Sequence, residues 1–503
     1  LALIPTWKQF SNGCMESTGT IAETSTGARW LPVWLLAFLI ACPFLPTLAM
    51  PFDFIDDGCL VYRGPGSLFE RIADRTVGEF HTRGPFRPIT WFHWELQAEL
   101  LQESPIAHRV ARWAFCWLTA WLSLHFFMAM NLPRWCSVIA TAMGLLIPFR
   151  GEIWPTLGLT EAFAMPYALA ALIAAVKATS SEKPWRWDIA AWVLMALAIG
   201  CKNTMVAVLP AQLLLRAWDP MRGFTIRNKM IPLIGLGSAG LLFVAHLIAY
   251  KLDPHPKEYV TSTPGLGHLL AWGRALTRSI GLEFIGPGLA LLGIAAWYRT
   301  STFQPLPSQT RLIAVALVLV FFGVAIHLPV AGVSGRYSVV AGWGLDLLAG
   351  LFLAQVLAHG QIFLARWGLV LVACGLAVAM LAGYDRMARQ AARSALLWQV
   401  VEAVEAERST REPIAWVGDL MPRRNQIGLG EGVHFGWHLK GRGRYPVTVV
   451  PVNTWPESSA MSRVISSSAE PPPGWKLKQA FEKPVAPLGG IDRCYLYHVG
   501  ATP

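Results

Sequence analysis

Residues 31–58 read LPVWLLAFLIACPFLPTLAMPFDFIDDG: an uncharged run over 31–50, then three aspartates over 51–58. A helix rising 1.5 Å per residue needs about 20 apolar residues to cross a hydrocarbon core of about 30 Å. The stretch therefore reads as a membrane span that opens onto an acidic loop. The rest of the chain repeats its apolar half. Further runs fall at about 111–130, 135–149, 158–178, 187–200, 203–218, 230–251, 282–298, 311–332, 338–358 and 362–383, making eleven candidate spans. The fifth and sixth, split by Cys201-Lys202-Asn203, read as one hairpin or one broken helix.

Composition agrees. Hydrophobic residues make up 54% of the 503 and charged residues 15%, against about 25% charged in soluble proteins. Disorder, a soluble α/β enzyme and a fibrous protein are excluded. The 23 Trp gather near the ends of the apolar runs, where an amphipathic ring suits a bilayer interface. The net charge of +11 reads as basic cytoplasmic loops, not as a nucleic-acid surface. Eight cysteines show no CxxC and no zinc-ligand spacing. The chain begins with Leu, and Met15 opens a more natural start, so residues 1–14 read as upstream sequence.

Loop charges set the orientation. With residues 1–30 in the cytoplasm, the inner loops hold 11 basic residues and the three short outer loops hold only Arg150, Lys202 and Arg336. That is the positive-inside asymmetry. It places two long hydrophilic stretches, 51–110 and 384–503, on the outer face. Within the first, 66–81 and 90–102 show apolar residues at helical spacing, as in helices lying flat on a membrane. In the second, 385–409 reads as an amphipathic helix, followed by PIAWVGD, YPVTVVPV and RCYLYHV as strands. The expected fold is an all-α polytopic membrane protein with external juxtamembrane helices and a small C-terminal α/β extracytoplasmic domain. Its divisions are 1–30, a transmembrane domain 31–383 that includes the external loop 51–110, and 384–503.

Ionisable residues at the spans are few, and each is a candidate. Asp56 and Asp57 are adjacent carboxylates whose repulsion favours a base or a cation site; the ordinary alternative is a solvated Asp-Gly turn, and Asp53 competes for the same role. Glu152 lies in the second outer turn, with Arg150 as its ordinary partner, and Glu161 lies at the start of the next span. Lys202 either snorkels to headgroups or binds phosphate as a point charge. Arg336 has the fork geometry that suits phosphate, with Tyr337 beside it and His327 below; a topological anchor is the alternative. Asp346, near mid-membrane, reads as paired with a buried polar group. The topology, fixed without reference to chemistry, brings Asp56, Asp57, Glu152, Lys202 and Arg336 to one face. Acids and cations on one membrane face suit a substrate with a lipid-borne phosphate.

In this arrangement the chain resembles the GT-C glycosyltransferases, membrane enzymes that use polyprenyl-phosphate-linked sugars. The resemblance is carried, in order, by IDDG after the first span, GPFRPITWFHWEL with Arg87-Pro88, SPIAHRVARWAFCWL, IPFRGEIWPTLGLTEAFAM, CKNTMVAVLPAQLLL and GRYSVV, over about residues 30–383. It implies an inverting transfer at the extracytoplasmic face, in a bacterial inner membrane, from a polyprenyl-phosphate sugar to a lipid, glycan or protein acceptor. By the same resemblance Asp56 or Asp57 is the base and Glu152 the second acid. Lys202 and Arg336, with Tyr337, hold the donor phosphate. The protein O-mannosyltransferase branch carries a His-Thr-Glu-Ala pattern in the second outer turn; its His is absent here, which keeps Glu161 open as second acid, with His327 and Arg87 in support. No metal or other cofactor is expected, because protein cations are available for the phosphate.

Two other classes compete. A secondary transporter would show inverted repeats and broken mid-membrane spans. An O-antigen polymerase or ligase would use Arg and His of a late outer loop, here His255, His268, Arg274 and Arg278. A scaffold or receptor would have no need of intramembrane Lys, Arg and Asp. Cys59 and Cys494 both fall outside and are expected to pair in that compartment.

Overall fold

The computed structural model describes residues 32–54, 57, 65–219, 223–224, 235, 237, 244, 248, 265–297, 307–328, 335–359, 362–406, 413–418, 435, 438, 449–457, 461–484 and 491–499. The expected span at 230–251 lies outside these residues apart from four positions, and so do Asp56, Cys59 and His255.

The expected first span is α1 (Val33–Ala41) continued by a 3-10 helix, Cys42–Ala49. Pro43 and Pro46 lack the N–H that an α-helical ladder needs, which accounts for the tighter turn. Two helices follow in the stretch 51–110. In α2 (Leu68–Arg83) Ser67 and Glu70 form a reciprocal capping box, and Gly84 at φ 92° closes the C-terminus. In α3 (Pro88–Leu101) Pro88 takes the first turn, where its missing N–H costs nothing. Arg71 ties the two helices together through Glu95 and Glu99, each at 2.8 Å.

The bundle continues with α4 (Pro105–Ala129), α5 (Arg134–Leu146), a single helical turn Pro148–Gly151, α6 (Glu161–Ser180) and α7 (Pro184–Cys201). After α7, Lys202 is extended, a 3-10 helix runs Asn203–Val208, and α8 spans Leu209–Ala217. Next come α9 (Leu266–Ser279) and α10 (Leu282–Trp297), bent by 73° at Gly281. The last elements before the sheet are α11 (Pro307–Ala325), a 3-10 turn Gly335–Ser338, α12 (Val339–His359) and α13 (Ile362–Ala406). Among the described residues, three helical segments (161–180, 335–356 and 366–406) are long and apolar enough to span a membrane alone, and the bent α9–α10 pair passes jointly. The chain is an integral membrane protein built mostly of helices.

Two expectations need correction. The boundary drawn at 383/384 falls inside α13, which runs on from its apolar part into the amphipathic stretch without a break. Among the described residues the C-terminal unit also has five strands where three are read from sequence. They are β1 (Ile414–Val417), β2 (Val449–Val452), β3 (Arg463–Ser466), β4 (Trp475–Pro484) and β5 (Ile491–Val499), in the order β2-β1-β3-β5-β4. β1 pairs in parallel with β2 and β3, while β5 runs antiparallel to β3 and β4. Leu396, Leu397, Val400, Val401 and Val404 of α13 form one core with Ile414, Trp416, Ile465 and Leu496 of the sheet. Phe54, from the acidic loop, is completely buried in that same core.

Candidate active site

The acidic loop is held from below by α4. Arg109 and Arg112 lie three residues apart on one helix face. Arg109 donates to the carbonyls of Pro155 and Pro51, the latter at 2.6 Å, and lies 3.4 Å from Asp57 Oδ2. Arg112 donates to the Leu159 carbonyl at 2.9 Å. Asp57 is completely buried: its Oδ2 accepts the Asp53 N–H at 2.8 Å and its Oδ1 accepts the Gly158 N–H at 3.0 Å. Burial pushes its carboxyl up to about 7; Arg109 opposes the shift and Asp53 adds to it. Asp53 is buried too, with Oδ1 accepting from the Phe54 N–H and from Ser394, and Oδ2 accepting from Gln390.

The second cluster gathers where α3, α6, α7 and the 335–338 turn meet. Lys202 Nζ lies 2.9 Å from Glu161 Oε1, both side chains being largely buried. The fields of Arg87 and Arg336 reach the Lys202 ammonium, and that of Arg336 reaches Glu161. Arg87 also pairs with Glu79, which accepts the Trp91 indole N–H at 3.0 Å. Lys202 and Arg336 lie over the Tyr337 ring, 5.7 and 5.4 Å from its centroid. The His327 ring stacks on Tyr337 at 4.9 Å and on Trp272 of α9 at 5.9 Å. Burial pushes His327 down to about 3, with Lys202 adding and Glu161 opposing, so the ring beside Tyr337 is neutral. Ser279 bonds Ser338 at 2.7 Å, which seats α9 against the 335–338 turn.

The segment 152–161 touches both clusters: Glu152 Oε1 accepts the Arg336 N–H at 3.1 Å, Gly158 holds Asp57, and Glu161 holds Lys202. A Cβ on Gly335 would lie 1.5 Å from the Phe149 carbonyl oxygen, so this position has no room for a side chain. Glu152 is not the partner of Arg150. It pairs with Arg386 of α13 at 2.7 Å, while Arg150 makes two 2.7 Å bonds to Asp346. Asp346 is thus paired with a buried polar group, as the sequence suggests.

Of the residues singled out from sequence, Glu161, Lys202, Arg336, Tyr337, His327 and Arg87 come together, and Glu152 supports their edge. Asp57 sits on the other side of 152–161; Asp56 lies outside the described residues. Arg109, Gln390, Ser394 and Trp272 were missed. The Arg-x-x-Arg pair of α4 was the one signal available for any of them. His93 was missed as well. It stacks on Phe163 at 4.7 Å and lies 3.1 Å from the Tyr167 hydroxyl, and burial pushes it down to about 4. Of the rival set, Arg274 and Arg278 lie on the exposed face of α9, opposite Trp272, Ala275 and Ser279. Cys494 is buried in β5; its expected partner Cys59 is outside the described residues. Among the described residues no three His, Cys, Asp or Glu side chains converge as metal ligands.

No family model matches the chain, and no curated protein matches it in sequence. In overall fold it is similar to the crystal structure of ArnT from Cupriavidus metallidurans bound to undecaprenyl phosphate, at 14% identity and a TM-score of 0.48, over 93% of this chain and 98% of that one. The apo state of the same protein matches at 13% identity and 0.45, over 92% and 97%. The Archaeoglobus fulgidus oligosaccharyltransferase, in complex with Zn and sulfate, matches at 11% and 0.45, over 86% and 67%.

Proposed function

We propose that this chain is a membrane glycosyltransferase of the GT-C type, which moves a sugar from a polyprenyl-phosphate donor to an acceptor at the extracytoplasmic face of a bacterial inner membrane. The observation that carries the reading is the gathering of Arg336 and Tyr337 around the buried Lys202–Glu161 pair, with Arg87 close enough for its charge to act on Lys202, and an acidic loop on the other side of 152–161. Cations placed at a leaving phosphate are worth more as the sugar departs and negative charge grows, so they stabilise the transition state beyond the ground state.

The base in this reading is Asp56. Asp53 and Asp57 have their oxygens engaged by protein donors and are buried, which suits loop-holders better than a group that must reach an acceptor hydroxyl. Glu161 serves as counter-ion to Lys202, and Glu152 as support for the Arg336 turn, rather than as second acid. The acceptor is a lipid, a glycan or a protein. Lys202 and Arg336 supply the charge that a metal would otherwise bring, so activity is expected to survive EDTA.

The test is transfer by membranes containing the protein, supplied with a panel of polyprenyl-phosphate sugars. Asp56→Asn is expected to lower turnover roughly 10²–10⁴-fold, the usual worth of a general base. Near-normal turnover in Asp56→Asn, or no transfer from any donor, overturns the reading.

A further inference from the structure

The helix α13 carries Arg386, Gln390, Ser394 and Trp398 at four-residue intervals. Side chains four apart stack along one face of a helix, so these form a stripe about 18 Å long. Each member is spent on the two loops described above. Arg386 bonds Glu152 Oε2 at 2.7 Å and the Pro148 carbonyl at 3.3 Å, and the other oxygen of Glu152 accepts the Arg336 N–H. One turn on, Gln390 donates to Asp53 and, at 3.1 Å, to the Thr156 hydroxyl. Another turn on, Ser394 donates to Asp53 at 3.2 Å. The Trp398 indole then donates to the Phe52 carbonyl at 3.0 Å. Beyond the stripe the C-terminal unit closes the grip. His438 Nε2 lies 2.9 Å from the Asp53 carbonyl, and the Phe54 ring is 4.6 Å from His438 and 5.4 Å from Trp398.

We infer that this stripe is a positioning ruler: one rigid helix, anchored in the C-terminal unit, fixes the acidic loop relative to the cation-bearing 335–338 turn. Arg386, Gln390 and Ser394 are positioning residues and touch no reacting atom. The reason for a stripe on one helix is geometric. A base and a phosphate clamp on separate loops drift independently, and a misplacement of about 1 Å can cost roughly 10²-fold in rate. Anchoring both on consecutive turns of one helix removes that drift. The packing of Phe54 against Phe435 and into the core that α13 forms with the sheet makes the sheet part of the same device, since without that core Phe54 has no seat.

The kinetic half of the inference rests on the glycosyltransferase reading; the mechanical half does not, and the experiment separates them. Amide hydrogen exchange is measured on the full-length protein in nanodiscs, followed in peptides covering 50–60 and 148–156. Gln390→Leu is expected to speed exchange in 50–60 and leave 148–150 unchanged, and Arg386→Ala to do the reverse. In transfer assays Gln390→Leu should lower kcat about tenfold or more with donor KM within about twofold, whereas Arg386→Ala should mainly raise donor KM. Gln390→Glu adds a readout that a packing role does not move. It keeps the shape but faces Asp53 with a like charge, so its activity should recover as pH is lowered. Ser394→Ala, which removes one bond and almost no volume, replaces Gln390→Leu if the latter does not accumulate. Unchanged exchange in all variants overturns the ruler, and faster exchange with unchanged kcat and KM overturns its part in catalysis. If wild-type protein transfers no sugar, the functional reading fails while the exchange data still decide the mechanical one.

Discussion

Arg150–Asp346 and Lys202–Glu161 are both buried ion pairs between helices, and they are built in opposite ways. The first is bidentate, with two 2.7 Å bonds in the fork geometry that guanidinium and carboxylate share. It is boxed in as well. A Cβ on Gly342 would lie 2.4 Å from Arg150 Nη1, and one on Gly144 would lie 2.9 Å from Asp346 Oδ2. The second is a single 2.9 Å contact from a lysine, a point charge on a flexible stem, with Arg87 and Arg336 acting on it and an aromatic wall beside it. A pair whose carboxylate has both oxygens engaged, and which is sterically enclosed, has no capacity for another ligand. In the proposed reading, a pair with one contact, crowded by further cations, exchanges its carboxylate for a phosphate. The difference separates a strut from a site, although burial alone makes the two look alike.

The largest effect is expected from breaking the strut. Asp346→Leu leaves Arg150 buried without its carboxylate, which costs roughly 3–5 kcal/mol, and removing both charges together should recover most of that. Thermal unfolding of Asp346→Leu and of the Arg150→Met/Asp346→Leu double variant checks it; a single variant as stable as wild type means the pair is not a strut. Breaking the site should spare the fold. Arg336→Ala is expected to cost about 10²–10³-fold in kcat/KM, the scale for losing one donor to developing charge. Arg336→Lys should fall between the two, because it keeps charge but not the planar fork. If lysine replaces arginine freely, the residue is a topological anchor. Smaller again is Glu161→Gln. Removing the carboxylate that competes with phosphate for Lys202 should tighten undecaprenyl phosphate binding by about tenfold, or about 1.4 kcal/mol. Weaker binding in that variant would return Glu161 to a direct role in catalysis.

The sequence carries the site better than the strut, for a physical reason. Lys202, Arg336 and Glu161 stand out because a charge in an apolar setting is conspicuous one residue at a time. Who pairs with whom is set by packing across the chain. Arg150 finds Asp346, 196 positions away, although Glu152 is its near neighbour. Asp57 looks like an exposed acid because its backbone donors, the N–H groups of Asp53 and Gly158, leave no mark in a sequence. The same limit applies to the fold. The external helices are legible through amphipathic spacing and caps, but α13 passes the membrane boundary unbroken because a change of composition there does not end a helix. β4 is obscured by Lys476, Lys478 and Gln479 and by an irregularity between Leu477 and Gln479, which together spoil the two-residue alternation.

The smallest expected effect concerns the neutral histidine in the wall of the site. Asp57, held up to about 7 by burial, gains a proton over the same pH interval with the opposite effect on stability, so the test is the difference between wild type and a histidine variant. Burial pushes His327 down to about 3 and His93 to about 4, so both stay neutral in the folded protein across the mildly acidic range. In the unfolded chain a histidine takes up its proton near pH 6.5. Below that value the unfolded state binds more protons than the folded state, so stability is full above about pH 6.5 and is lost as pH falls toward 4. Between pH 7.5 and 6 the loss is about 1 kcal/mol for each histidine. His327→Gln keeps a neutral hydrogen-bonding side chain and removes one of the two titrations, so its melting temperature should fall less steeply over that interval. A melting temperature that falls equally in wild type and His327→Gln over that interval would mean that His327 titrates normally. The pocket would then gain a fourth cation in mild acid, and phosphate binding should strengthen there.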